Sequence, residues 1–414
     1  MTRFKRANKP HEGTVSMDNT NKRAFPFFKQ NPTSCYLDNA ATTHICEPAL
    51  AQINQYYQRM HATVHRSSHP QAIKNTNQFE LIRAQTAAWL NVADKRQIIW
   101  CKSATEASNL LAYSLAAQLT PQDEVIISLA DHHASFVCWQ QLAKQYHFKL
   151  HILPLQNDYR IAVSQLKTLL NKNTKVVCLP HVANSTGLKQ DIELAQQLVS
   201  QTSDAFLLID GAQAINHLTP DLTALAVDAY YFSGHKMYAG TGLGVLYVSH
   251  KLLKNLTPLL YGGEMVREVD NHHSVFSPAP FLFEAGTPNT AAVYAFGAAV
   301  KFRQNQLSEH HFQHETRLIK TLLNELNQLD YIQVYGQGPF CGALSFSVRG
   351  MHSSDAGELL SQMGISLRYG YLCAMPAVKQ LNPQGIIRAS VAAYSEQKDI
   401  EQLIEAIKTL ESFI

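Results

Sequence analysis

Ala205-Phe-Leu-Leu-Ile-Asp210-Gly-Ala-Gln213 and Asp228-Ala-Tyr-Tyr-Phe-Ser233-Gly-His-Lys236 are two apolar runs of strand length, each passing into polar residues around a glycine. An apolar run without alternation is the pattern of a strand buried on both faces, as happens when helices cover a parallel sheet. Comparable runs lie at Gln97 to Cys101, Glu124 to Ser128, Phe148 to Leu153, Lys175 to Leu179 and Gly244 to Val248, with helical patterns between them. The alternation predicts an α/β fold with a mainly parallel seven-stranded sheet. One helix is well punctuated: Thr105 can cap it, Leu111, Leu115 and Leu119 follow at helical spacing, and Pro121 closes it.

After about residue 292 the texture changes. A helix over roughly 308–329, strands at Tyr331 to Tyr335 and Ala343 to Val348, a helix from Ser354 to Met363, a strand near Ile386 to Val391 and a last helix predict a smaller α/β domain. The division expected is a basic, flexible tail over 1–30, a large domain over 31–292 and a small C-terminal domain over 293–414. Pro258 to Pro280 reads as an irregular excursion.

A chain of 414 residues with 46% hydrophobic content can bury cores for two domains. Its net charge is +3, but residues 1–30 alone carry +5, so the body is slightly acidic and is not a nucleic-acid surface. The tail lacks the apolar core of a secretory signal, although an organellar transit peptide, or a start at Met17, is a second reading of it. No stretch is long and apolar enough for a membrane span, and a soluble, cytoplasmic protein is expected. The seven cysteines form no C-x-x-C pair and read as reduced core residues, Cys373 excepted.

In open α/β sheets ligands bind at the carboxyl ends of strands, which is where Asp210 and Lys236 fall, 26 residues apart. A carboxylate there can hold the proton of a pyridine nitrogen, and a lysine on the neighbouring strand end can form a Schiff base, so the pair suits a pyridoxal phosphate (PLP) ring. Taken alone, Asp210 reads more readily as a helix cap and a lone lysine as a surface charge. Ser233 and His235 add phosphate donors. Ser103-Ala-Thr105-Glu106 opens a helix, a natural phosphate seat and also a common N-cap. His132-His133 can stack on a ring or move a proton, and Asn184 is a further polar group at a strand end. Gly240-Thr-Gly242-Leu-Gly244 fails as a dinucleotide fingerprint because Val245 stands at the third glycine position. His310, His311 and His314 have metal-like spacing in polar surroundings without a carboxylate or cysteine shell; they read as an exposed helix face, and no metal is expected.

Together these pieces resemble the class V aminotransferase group of fold type I PLP enzymes and, within it, the SUF-type cysteine desulfurases. The resemblance runs from about Tyr36 to the C-terminus. It rests on Leu37-Asp-Asn-Ala-Ala41, His65-Arg66, Thr105-Glu106, Asp131-His-His-Ala134, Asp210-Gly-Ala-Gln213, Ser233-Gly-His-Lys236, Phe283-Glu-Ala-Gly-Thr-Pro-Asn-Thr290, Cys373-Ala-Met-Pro376 and Arg388-Ala-Ser390. It implies that Lys236 binds PLP covalently, Asp210 pairs with the ring nitrogen, His132 stacks on the ring and Gln213 meets the ring hydroxyl. Thr105, Ser233 and His235 would hold the phosphate. Thr287 would reach the phosphate of a neighbouring subunit, implying a homodimer. Arg388 would clamp the substrate carboxylate with Asn184 nearby, and His65 would join the substrate site.

Cys373 would accept sulfur from L-cysteine as a persulfide, leaving alanine, and pass it to a separate acceptor protein, for iron–sulfur cluster assembly or other sulfur transfer. The loop Arg368-Tyr-Gly-Tyr-Leu-Cys373-Ala-Met-Pro gives the access such a thiolate needs. The chain departs from the pattern at Tyr371 and Leu372, where relatives often carry histidines, at Tyr369 in place of a small residue, and at Ala104 where threonine is frequent. The alternatives are a selenocysteine lyase, a cysteine sulfinate desulfinase, another class V lyase or aminotransferase not using Cys373, and an inactive PLP-binding scaffold.

Overall fold

A computed structural model describes residues 22–307 and 309–414. Seven strands form the large sheet: β1 (Ile98–Cys101), β2 (Glu124–Ser128), β3 (Lys149–Leu153), β4 (Thr174–Pro180), β5 (Phe206–Asp210), β6 (Ala229–Ser233) and β7 (Gly244–Val248). Their spatial order is β1-β7-β6-β5-β4-β2-β3, parallel throughout except that β7 runs antiparallel to both its neighbours. The sequence pattern predicted this fold class, and the reason is burial on both faces: Val176, Val177 and Leu179 of β4 and Ile209 of β5 are fully buried. Each such side chain contributes roughly 1.5–3 kcal/mol by leaving water.

The helices that matter for the site are α1 (Glu47–Gln55), α2 (Pro70–Trp89), α3 (Ala104–Ala116), α4 (His133–Tyr146), α5 (Ile192–Thr202), α6 (Thr290–Gln306), α7 (Glu309–Leu326), α8 (Ser353–Gln362), α9 (Met375–Leu381) and α10 (Gln397–Leu410). The N-cap of α3 is Ser103, whose hydroxyl accepts from the Glu106 amide, so Thr105 sits in the first turn and is not the cap expected from sequence. The close approach that seats this turn depends on Gly244, where a Cβ would come within 2.4 Å of the Ser103 backbone.

A second, four-stranded antiparallel sheet has the order β10-β11-β13-β12, with β10 (Ile332–Val334), β11 (Ala343–Val348), β12 (Arg368–Gly370) and β13 (Ile386–Ser390). Helices α7, α8 and α10 cover it around a core that includes Leu318, Leu344, Phe346, Ile387 and Leu403. Cys35 and Leu37 belong to this core, and Cys35–Tyr36 pairs in parallel with Ile365–Ser366, so the chain enters through the smaller unit.

Three features differ from the sequence expectation. The basic tail does not extend to residue 30: Lys22–Ala24 and Pro26–Gln30 are helical turns, Phe25 and Phe28 are buried against Tyr394, and Lys22 pairs with Glu396 at 3.1 Å and Asp399 at 3.2 Å. Residues 1–21 of that tail lie outside the described residues. The expected boundary at 292/293 falls inside α6, whose residues from Ala291 to Leu307 pack in the core of the large sheet. The excursion from Pro258 to Pro280 contains an antiparallel hairpin, Val266–Val269 with Ser274–Phe276, bulged at its far end.

Candidate active site

The carboxyl ends of β4, β5 and β6 and the amino ends of α3 and α4 converge on a cavity of about 220 Å³. Thr105, His132, Asn184, Asp210, Gln213, Ser233, His235, Lys236, Cys373 and Arg388 all line it. Two other candidates do not. His65 sits at the start of α2's face, paired with Glu80 at 3.3 Å and edge-on to Phe281. Thr287 borders a separate cavity with Lys102, Glu106 and Asn289.

Asp210 ends β5 at a turn that is not a helix, and its carboxylate is placed both to brace that turn and to border the cavity. One carboxylate oxygen accepts from the Ala212 amide at 2.9 Å, and the residue also borders the cavity. Burial pushes its pKa up, while the Ala212 N–H and the charge of Lys236 pull it down. Burial in turn lowers the Lys236 ammonium from 10.5 to about 8, with Asp210 opposing the shift. An amine with so weak a hold on its proton is a usable nucleophile at neutral pH.

Ser233, at the end of β6, accepts from the Ala104 amide at 2.8 Å and so ties the lysine turn to the first turn of α3. The ring of His235 meets Thr42 Oγ1 at 3.1 Å, and burial then the nearby Lys236 push its pKa down to about 4. Thr43 braces the same turn: its hydroxyl donates to His235 O and accepts from Tyr238 N, at 3.0 and 2.8 Å. His132 caps α4, its Nδ1 accepting from Ala134 N at 3.1 Å, which fixes the ring and requires a bare Nδ1. Burial, then the Lys236 charge, lowers its pKa to about 4, so the imidazole is neutral at physiological pH.

Arg388 projects from β13 and is 1% exposed. Its NH1 group donates to Asn184 O at 2.8 Å and Asn184 Oδ1 at 2.6 Å, and NH2 lies 3.5 Å from Asp38. Its buried Nε finds no partner among the described residues. Burial lowers its pKa to about 10, with Asp38 opposing, so it stays charged. Asp38 also stands 3.7 Å from Arg368, another residue of the cavity wall. Asp38 and Arg368 fall within two of the quoted motifs, Leu37-Asp-Asn-Ala-Ala41 and the Arg368 to Pro376 loop, but neither is given a role of its own in the sequence reading.

All seven cysteines are free thiols, and Cys373 is the exposed one. It follows Leu372, and both adopt left-handed backbone, with φ of 51° and 56°. Leu372 is buried beside Tyr335, Val378 and Ile386, while Cys373 borders the cavity. Among the described residues no cluster of His, Cys, Asp and Glu could hold a metal, and His314 is engaged with Ser395 O at 3.0 Å. No helix among them is long and apolar enough to cross a membrane.

The donor set suits PLP. An amine of reduced basicity and a carboxylate stand on adjacent strand ends, a neutral imidazole is fixed nearby, and hydroxyl groups gather at the amino end of a 13-residue helix, where a dianionic phosphate is favoured.

The family model for class-V aminotransferases matches residues 35–403. A probable cysteine desulfurase of Vibrio cholerae is 38% identical over 388 residues, covering 92% of this chain and 96% of that one. A probable cysteine desulfurase of Pseudomonas putida is 37% identical, covering 91% and 94%. Among solved structures, the cysteine desulfurase CsdA (S-sulfonic acid) from Escherichia coli superposes with a TM-score of 0.88 at 32% identity, covering 95% of this chain and 98% of that one.

Proposed function

The chain belongs to the class-V aminotransferase family, and from that membership and the residues of the cavity we infer that it is a PLP-dependent cysteine desulfurase, taking sulfur from L-cysteine and leaving L-alanine. The observation that carries the reading is that Cys373, the exposed cysteine of seven, borders the same cavity as Lys236 and Arg388. PLP, when bound, supplies an electron-withdrawing ring that makes the bonds at the α-carbon of an attached amino acid labile. Lys236 would hold it covalently, Asp210 would keep a proton at the ring nitrogen, and Gln213 would meet the ring hydroxyl. His132 would stack on the ring, and Thr105, Ser233 and His235 would seat the phosphate.

The chain's own groups divide the remaining work. Arg388 binds the α-carboxylate through charge-assisted hydrogen bonds, a task that its unpaired Nε supports. Lys236, with its proton affinity lowered by burial, carries protons to and from the substrate carbon. Cys373, as thiolate, attacks the substrate's sulfur. The S–S bond forms as the Cβ–S bond breaks, the electron pair of the broken bond stays with carbon, and that carbon takes up a proton. Alanine and a Cys373 persulfide result, with no outside oxidant or reductant.

The persulfide then passes to an acceptor protein, for iron–sulfur assembly or other sulfur transfer. Thr287 lies outside the cavity of its own chain, which supports service to a neighbouring subunit's phosphate and hence a homodimer. His65, whose ring meets Glu80 and whose amide donates to Thr76 Oγ1, is held against α2 outside this cavity, which favours a bracing role over contact with substrate inside the same chain. Seven unpaired cysteines fit a reducing compartment, the cytoplasm. The test is to incubate PLP-loaded protein with L-cysteine and measure alanine release and the mass of one added sulfur on the protein. Cys373→Ser should keep the cofactor's visible absorption and lose both products. Alanine formation at the wild-type rate in that variant would refute the reading in favour of a lyase that does not use Cys373.

A further inference from the structure

The Cys373 loop has an unusual way of holding its shape. Leu372 and Cys373 are consecutive non-glycine residues with positive φ, a conformation that side chains with a Cβ disfavour. Such a turn persists only where the surroundings over-determine it. Part of that hold is apolar, because Leu372 is 7% exposed and packed with Ala374, Val378 and Ile386. The polar part comes from across the cavity. The His133 amide, the first of α4 and therefore without an intrahelical acceptor, donates to Cys373 O at 2.8 Å. The His133 ring, through Nε2, accepts from Met375 N at 3.0 Å. Asn184 Nδ2 donates to Leu372 O. His133 thus grips the backbone at two points just after the thiol-bearing carbon, the carbonyl of Cys373 and the amide two residues on, while Asn184 holds the side before it.

We propose that His133 is a positioning residue for Cys373, clamping the left-handed turn so that the thiol faces the cavity. The inference rests on the reading of Cys373 as the sulfur acceptor. Accepting from Met375 N requires a bare Nε2, and burial lowers the ring's pKa, so the neutral form that the clamp needs is the favoured one. His132 and His133 then differ in task although adjacent: the first faces the cavity wall and caps α4, and the second holds the loop.

A clamp makes a signature that neither a reactive group nor a general structural residue makes. Loosening it should slow attack by Cys373 on bound substrate while leaving the thiol open, or more open, to a small reagent from solvent. In PLP-loaded His133→Ala, kcat for alanine formation should fall roughly tenfold, the worth of one hydrogen bond at the upper end of its usual range. KM for cysteine and the cofactor's absorption should stay as in the wild type. Alkylation of Cys373 by iodoacetamide, followed by peptide mass spectrometry without substrate, should be as fast as in the wild type or faster. His133→Gln, whose amide oxygen can accept from Met375 N, should recover most of the lost kcat. Wild-type kcat in His133→Ala would overturn the proposal, as would a loss of cofactor absorption or equal impairment in the Ala and Gln variants. Failure of the underlying reading shows separately, as alanine formation in Cys373→Ser whatever the behaviour of His133.

Discussion

Replacing Arg388 with lysine keeps the charge and removes the planar fork. In the wild-type protein two hydrogen bonds from NH1 to Asn184 and the nearby Asp38 fix the guanidinium, leaving Nε without a partner among the described residues. An ammonium at that depth can satisfy Asn184 or Asp38, or point one N–H at a substrate carboxylate, but it cannot reproduce the paired donors. Loss of one charge-assisted hydrogen bond costs about 1.5–3 kcal/mol, so kcat/KM for cysteine should fall roughly ten- to hundredfold. The drop should sit mainly in KM, because the carboxylate is gripped in ground state and transition state alike. The assay is alanine release over a range of cysteine concentrations, with a spectral titration by cysteine to give Kd directly and cofactor content as the control. A kcat/KM within about twofold of wild type would refute the reasoning and reduce Arg388 to a structural link between Asp38 and Asn184.

Other perturbations test the rest of the site. Asp210→Asn should retain the cofactor yet lose roughly a hundredfold or more in kcat, as when a preorganised electrostatic partner is removed; unchanged turnover would leave Asp210 as the Ala212 cap alone. The folded-state pKa of Lys236 lies below its ordinary value, 10.5 lowered to about 8, so the unfolded chain binds more protons between those limits. Apoprotein stability should therefore rise with pH across that window on this account, with the penalty fully present below pH 8. In urea titrations without cofactor, Lys236→Met should be more stable than wild type at neutral pH, and the gain should fade toward the ordinary lysine value; a gain that persists unchanged at high pH would contradict the assignment. Lys22→Ala leaves Asp399 without its buried cation and Glu396 with the exposed Lys398 alone, and should cost about 1–3 kcal/mol, seen as a lower denaturation midpoint; no change would mean that the Lys22 pairs contribute nothing.

What was legible in the sequence follows from where burial is complete and local. The central strands are short runs covered on both faces and apolar through most of their length, and even β3, an edge strand with Lys149 and His151 in it, keeps enough apolar residues to be read. Helix α6 failed for the same reason. Ala291-Ala-Val-Tyr-Ala-Phe-Gly297-Ala-Ala-Val300 is buried nearly all round against α1 and α2, so it has no polar face to set a helical period, and the domain boundary was drawn through it. Gly297 shows how tight that packing is, since a Cβ there would lie 2.9 Å from the Ile82 side chain. The tail misled through its charge: Lys22 reads as solvated until Glu396 and Asp399, more than 370 residues away, are known to meet it.

The site divides along the same line. Asp210 and Lys236 stand at the ends of neighbouring parallel strands, so local pattern and a general rule of sheet topology were enough to bring them together. Asp38 and His133 act through partners 350 and 242 residues distant, and no local pattern encodes either contact. Asn184 shows the physical reason most directly. Its Oδ1 accepts from both Gln213 and Arg388, and its Nδ2 donates to the carbonyl of Leu372, so one amide joins the turn after β5, the Arg388 guanidinium and the cysteine loop. A side chain with its acceptor so occupied is better suited to holding Arg388 and the loop in register than to gripping substrate itself. On the function proposed above, Asn184 would tie the substrate-binding arginine to the sulfur-accepting loop, yet its sequence context announces only a polar group after a strand.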